Sequence, residues 1–104
     1  MERFVKGDLV ILPFPFSDLT FSKKRPALII ANAKEDLILL QITSKDKEDK
    51  YCINLKHEKL KVESYIRINK IFTADKSLII YKIGELNKDK LKHVENELIK
   101  LIRK

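Results

Sequence analysis

Cysteine occurs once in this sequence, at Cys52, so neither an intrachain disulfide nor a cysteine-rich zinc site can form, and a small buried thiol is the role expected of it. No apolar run approaches the roughly 20 residues that span a bilayer, and Met1-Glu2-Arg3 leads into a strand-like segment rather than a secretory h-region, which predicts a cytoplasmic protein. Tryptophan is absent, and glycine is confined to Gly7 and Gly84. With 44% apolar and 36% charged residues, that scarcity of glycine argues against disorder. The two histidines, His57 and His93, have no second His or Cys at ligand spacing, so no metal or other cofactor is expected. What remains is a chain of 104 residues expected to form one domain, residues 1–104, with a single core that buries roughly two thirds of the unfolded surface.

Charge of one sign is in excess. The net charge of +7 invites a polyanionic partner, but it is unevenly placed. Residues 1–54 carry nine Lys/Arg against eight Asp/Glu, whereas residues 55–104 carry thirteen against seven. A solvated lysine-rich surface explains this as well as a binding face does, until a fold groups the charges.

Lys23-Lys24-Arg25-Pro26-Ala27-Leu28-Ile29-Ile30 organises the chain: a basic cluster, a proline, then an unbroken apolar run. The run is too short for an ordinary buried helix, which makes it a strand buried on both faces. Arg25 then stands at the strand's entrance, where its planar fork of donors suits a phosphate. Pairing with a carboxylate at the core edge is the alternative.

Before it, residues 8–16 read as a strand apolar on both faces. Pro13 and Pro15 lack donors on the same edge, so that edge cannot continue a ladder past Leu12 and the strand is expected to end as an edge leading straight into a loop. Residues 17–24 make a long, glycine-free loop, the length of a flap over a site, with Asp18 and Phe21 upon it. A turn at residues 31–34 precedes a third strand, residues 36–43, ended by the hydroxyls of Thr43 and Ser44, whose ordinary use is hydrogen bonding at the strand end. Residues 45–50 are a mixed-sign loop.

Residues 51–55 form a short fourth strand, and residues 56–63 a charged connector pegged by Leu60 and Val62. A fifth strand from Ser64 sets Tyr65, Arg67 and Asn69 on one face and Ile66 and Ile68 on the other. Thr73 or Asp75 caps a short helical turn at residues 76–78, and extended chain returns over 79–86 with a bend at Gly84. Asn87 caps one helix, Lys88 to about Arg103, whose stripe of Leu91, Val94, Leu98, Leu101 and Ile102 packs on the sheet. The fold class is α+β: a strongly bent antiparallel sheet or partly closed barrel with a C-terminal amphipathic helix.

Gly7-Asp8-Leu9-Val10, Pro13-Phe14-Pro15-Phe16-Ser17-Asp18, the Lys23 to Ile30 block, Ile42-Thr43-Ser44 and Thr73-Ala74-Asp75-Lys76 stand in one order over nearly the whole chain. Together they resemble the MazF/PemK family of toxin endoribonucleases from type II toxin–antitoxin pairs. The resemblance implies an SH3-like barrel, a homodimer, a cognate antitoxin partner, and metal-independent cleavage of single-stranded RNA. The 2′-hydroxyl would attack its own phosphate and leave 2′,3′-cyclic phosphate and 5′-hydroxyl ends. The family's active-site arginine falls on Arg25 and its hydroxyl on Thr43. Substrate contacts are expected from Asp18, Phe21, Lys23, Lys24, Asn32, Ser44, Arg67 and Asn69.

Two departures stand out. An Arg-x-Asp pair associated with the PemK branch is here Arg67-Ile68-Asn69, with an amide in place of the possible base. A family arginine before the Thr-x-Asp-Lys block is here Phe72. Catalysis then runs without that base, or activity is weak, or Asp18 or a neighbouring-subunit group substitutes. A noncatalytic nucleic-acid binder of the same fold is the alternative function. A topoisomerase poison resembling CcdB fits less well, because that group works through a C-terminal Trp-Gly-aromatic tail and this chain has no tryptophan.

Overall fold

The computed structural model describes residues 3–14, 23–45 and 50–104. The expectations placed on residues 15–22, with Asp18 and Phe21, and on residues 46–49 fall outside these. Six strands form one antiparallel sheet: β1 (Asp8–Phe14), β2 (Lys23–Ala33), β3 (Asp36–Thr43), β4 (Cys52–Leu55), β5 (Ser64–Asp75) and β6 (Tyr81–Glu85). Their order is β4-β5-β3-β2-β1-β6, and one helix, α1 (Lys88–Ile102), follows.

The central strands are apolar on both faces because both faces are covered. Leu9, Leu28, Leu40, Ile66 and Val94 belong to one buried cluster, and Val10, Leu12, Ile29 and Leu39 to another. Three irregularities bend the sheet. The register shifts between Leu9 and Val10 against β6, between Ile29 and Ala31 against β3, and between Leu40 and Gln41, which pair with Ile71 and Arg67 and so skip residues 68–70 of β5. Bulges of this kind sharpen local twist. The curl carries the two edge strands towards each other: in the connector after β4, His57 Nε2 lies 3.3 Å from the Glu85 carbonyl at the end of β6.

Gly7 holds the junction of sheet and helix. Its φ of 99° lies in the region open to glycine, and a Cβ there would stand 3.1 Å from Leu91 Cδ2. Its N–H donates to the Ile29 carbonyl at 2.8 Å and its own carbonyl accepts from Leu86 N at 2.9 Å. Asn87 Oδ1 caps α1 by accepting from Lys90 N at 2.8 Å, and Asp75 Oδ1 caps the 3₁₀ turn Lys76–Leu78 by accepting from Ser77 N, also at 2.8 Å.

Several expectations need correction. β1 lies inside the sheet between β2 and β6, but its β6 ladder stops at Ile11, short of Pro13 and its missing donor as expected, and only β2 pairs with it to Phe14. Asn32 and Ala33 remain in β2, and the turn is Lys34-Glu35, with Lys34 at a φ of 61°. Tyr51 precedes β4, and Cys52 is only half-buried because β4 is an edge strand. Leu60 does pack on the core, but Val62 is 59% exposed. Along α1, Val94 is buried, Leu91 packs on the core, Leu98 and Leu101 are half-buried, and only at the end of the stripe does Ile102 stand 68% exposed.

Candidate functional site

Where β1 and β3 end and β2, β5 and β6 begin, a cleft of about 890 Å³ opens. Antiparallel pairing explains which residues reach it. Ala27 of β2 is opposite Gln41 of β3, and Gln41 is opposite Arg67 of β5. Continuing the first register by two residues on each strand sets Arg25 opposite Thr43, on the face shared with Gln41 and Arg67, because side chains two apart project to the same side. Arg25, Thr43, Gln41 and Arg67 all line the cleft.

Arg25 is half-buried and its guanidinium carbon lies 6.0 Å from the centroid of the Phe14 ring. Phe14 is in turn met edge-on by Phe72, with centroids 5.1 Å apart and the planes at 64°. The phenylalanine standing at a family arginine position therefore buttresses the aromatic platform of Arg25, which limits the directions the guanidinium can take. Thr43 Oγ1 accepts from Lys45 N at 3.2 Å, the strand-end bond expected of it, and its own proton remains available for donation.

The charge of the cleft is one-sided. Lys23, Lys24, Arg25, Lys45, Lys59, Lys61, Arg67 and Lys82 line it, and no Asp or Glu does so among the described residues. Four of these come from each half of the sequence, so the grouping crosses the composition boundary. Lys82 is already engaged: its Nζ lies 3.1 Å from Glu85 Oε1 and 3.2 Å from Oδ1 of Asp8, which is 1% exposed. Glu85 first, and then Asp8, raise the Lys82 pKa above its ordinary value by stabilising the ammonium. The other lysines of the cleft present positive charge to any ligand that enters.

The structure thus brings Lys23, Lys24, Arg25, Thr43, Ser44 and Arg67 to one place. It does not bring Asn32 or Asn69 there. Asn32 lies towards the far end of β2, paired with Leu37, and its Nδ2 donates to the Phe4 carbonyl at 2.7 Å. Asn69 is exposed in the irregular stretch of β5. Lys45, Lys59, Lys61, Lys82, Gln41 and Tyr81 line the cleft without having been singled out from sequence. Only their basic or polar character hinted at it, and these residue types are common on any surface. Among the described residues, no three His, Cys, Asp or Glu side chains are grouped to hold a metal ion. No described helix is long and apolar enough to cross a membrane.

Comparison with known proteins bears on this geometry. No curated protein sequence matches the chain. Among solved structures, MazF from Deinococcus radiodurans superposes with a TM-score of 0.82 at 22% identity, covering 100% of both chains. A MazE–MazF complex from the same organism gives a TM-score of 0.79 at 22% identity, again over 100% of each chain. An endoribonuclease in complex with its cognate antitoxin, from a mycobacterial species, gives a TM-score of 0.79 at 13% identity, covering 96% of this chain and 95% of that one. These likenesses establish the fold. The family model for the PemK-like, MazF-like toxins of type II toxin–antitoxin systems matches residues 5–102, and the chain belongs to that family.

Proposed function

We propose that this toxin is an endoribonuclease that cleaves single-stranded RNA at Arg25 and Thr43 without a metal ion, acts as a homodimer, and is neutralised by an antitoxin whose acidic or extended segment covers the cleft. The observation that carries this reading is that Arg25 and Thr43 line one cleft whose charged side chains, among the described residues, are all cationic. Phosphodiesters are the ligands such a surface attracts. The mycobacterial structural neighbour, an endoribonuclease bound to its antitoxin, supports the same reading.

The chemistry follows from where charge develops. The 2′-hydroxyl gives up its proton as O2′ bonds to phosphorus; the P–O5′ bond breaks, and O5′ leaves and takes up a proton. Between these events negative charge accumulates on the non-bridging oxygens. A guanidinium steadied on Phe14, together with the Thr43 hydroxyl, can stabilise that charge by hydrogen bonds already in place before the reaction. Arginine is a reluctant acid, because the delocalised guanidinium holds its protons tightly, so electrostatic stabilisation is the role assigned to Arg25.

The test is to incubate purified protein with a mixed-sequence single-stranded RNA in EDTA, compare Arg25→Ala, and characterise the new ends. Cyclic-phosphate and 5′-hydroxyl ends from the wild type alone are expected. Salt-sensitive binding with no cleavage would instead mark a noncatalytic binder.

A further inference from the structure

The connector of residues 56–63 supplies one wall of the cleft through Lys59, Leu60, Lys61 and Val62, yet it belongs to no strand or helix. One residue ties it to the opposite edge of the sheet. Lys59 N–H donates to His57 Nδ1 at 3.1 Å, which makes Nδ1 the acceptor and leaves the proton on Nε2; Nε2 donates to the Glu85 carbonyl at 3.3 Å. Leu60 N–H donates to the His57 carbonyl at 3.0 Å, closing the turn. His57 therefore joins the chain leaving β4 to the end of β6, the two edge strands of the curled sheet.

Gly84 shows how closely the ring is seated. A Cβ at this position would lie 3.0 Å from His57 Cε1 and 3.2 Å from Nε2. An alanine at this position would press the imidazole back by a few tenths of an ångström.

We propose that His57 is a positioning residue for RNA binding, latching the connector to β6 and so holding Lys59 and Lys61 in the cleft as phosphate ligands. This rests on the RNA reading of the cleft. Lys59 and Lys61 are exposed and alternate with Leu60, which is half-buried and packs against the core. The anchor fixes the middle of the segment, and the Lys59 N–H bond to His57 fixes the approach to it. Without that bond, both ammonium groups range over more positions, and each must be ordered when RNA arrives. Arg25 and Thr43 lie on β2 and β3, outside this segment, so the latch bears on binding and leaves the chemical step alone.

Three variants, and the double variant that combines His57→Ala with Gly84→Ala, separate the parts. His57→Ala removes both bonds. His57→Asn restores an acceptor for the amide two residues on, as asparagine does in Asx turns, but is too short to reach Glu85. Gly84→Ala, on another element, displaces the ring. Each is assayed for Lys59 amide exchange, for cleavage kinetics, and for binding of a 2′-O-methylated single-stranded RNA that cannot be cut.

Expected are faster Lys59 exchange in His57→Ala and Gly84→Ala, with KM raised about three- to tenfold, the size of one ordinary hydrogen bond, and kcat within about twofold. His57→Asn recovers Lys59 protection and part of the affinity. The double variant is no worse than His57→Ala, because Gly84→Ala has no ring left to displace. Unchanged KM and RNA affinity despite faster exchange overturns the proposal, as do additive effects in the double variant. If the wild type neither binds nor cuts RNA, the RNA reading of the cleft fails and this role falls with it, whereas Lys59 exchange still reports whether the His57 bond exists.

Discussion

Replacing Arg25 by alanine should separate chemistry from binding. The guanidinium is placed by β2, whose backbone pairs Arg25 with Leu12, and by the Phe14 ring 6.0 Å from its carbon, so it needs little reorganisation when the phosphorane forms. Removing one such preorganised donor typically costs about 10²- to 10³-fold in kcat, or about 2.7–4 kcal/mol of transition-state stabilisation. Lys23, Lys24 and the other cleft lysines remain, and in the proposed reaction these would hold substrate and transition state alike, so KM should move far less than kcat. The fold should survive, since the lost cation–π contact is worth only about 0.5–1 kcal/mol. Arg25→Lys keeps the charge but loses the planar fork, and its rate should fall between the two. The assay is single-turnover cleavage of an end-labelled RNA in EDTA, with circular dichroism to verify folding. A folded Arg25→Ala protein that cleaves within about threefold of the wild type, a difference well under 1 kcal/mol, would refute the assignment.

Lys82→Met strands the buried Asp8 carboxylate, which keeps its bond from Val5 N at 2.9 Å, and should lower stability by about 1–3 kcal/mol in urea unfolding, with Asp8→Asn on top restoring much of it. Because the Lys82 pKa is raised in the fold, the pair's contribution is complete below the ordinary lysine value of 10.5 and disappears as pH climbs through the higher folded value, which thermal melts across the alkaline range will register. Asp75 behaves oppositely: bonds from Ser77 lower its pKa from 3.8, so its contribution is present above that value and lost as pH falls through the folded one, and Asp75→Asn should lie below the wild type near neutrality and converge with it in acid. Gly7→Ala forces a side chain into a φ of 99° and against Leu91, and should cost about 1–3 kcal/mol by denaturant titration. If the cleft engages about four to six phosphates of a single strand, the slope of log affinity against log salt should be about −3 to −4.

Much of this protein was legible from local chemistry. Alternation and two-sided apolar runs placed β2, β3 and β5, since a strand's side-chain period is visible in a few residues. Asn87 announced its cap, and Asp75 was one of two candidates for the other, because a cap is a contact between near neighbours in the chain. Arg25, at the mouth of an apolar run, and Thr43, at the end of another, needed only their strands to be recognised before a shared rim became the economical arrangement.

Tertiary structure alone decided the rest, because the remaining questions depend on register and curvature, which residues distant in sequence set jointly. Three bulges curl the sheet until β4 and β6 approach, and only then do Lys59 and Lys61 join Lys23 and Lys24 around one cleft. Asn32 is expected in the turn after β2 as a substrate contact, yet it belongs to the strand, and seven positions along extended backbone carry it to the opposite end of the sheet from Arg25. Phe72 read as a missing arginine, and its edge-on contact with Phe14 beneath Arg25 could be found only once β5 lay across the fold. Sequence determines which short segments form strands, caps and a helix, because those preferences are local; which charges gather is determined by how the sheet bends, and bending is a property of all its strands together.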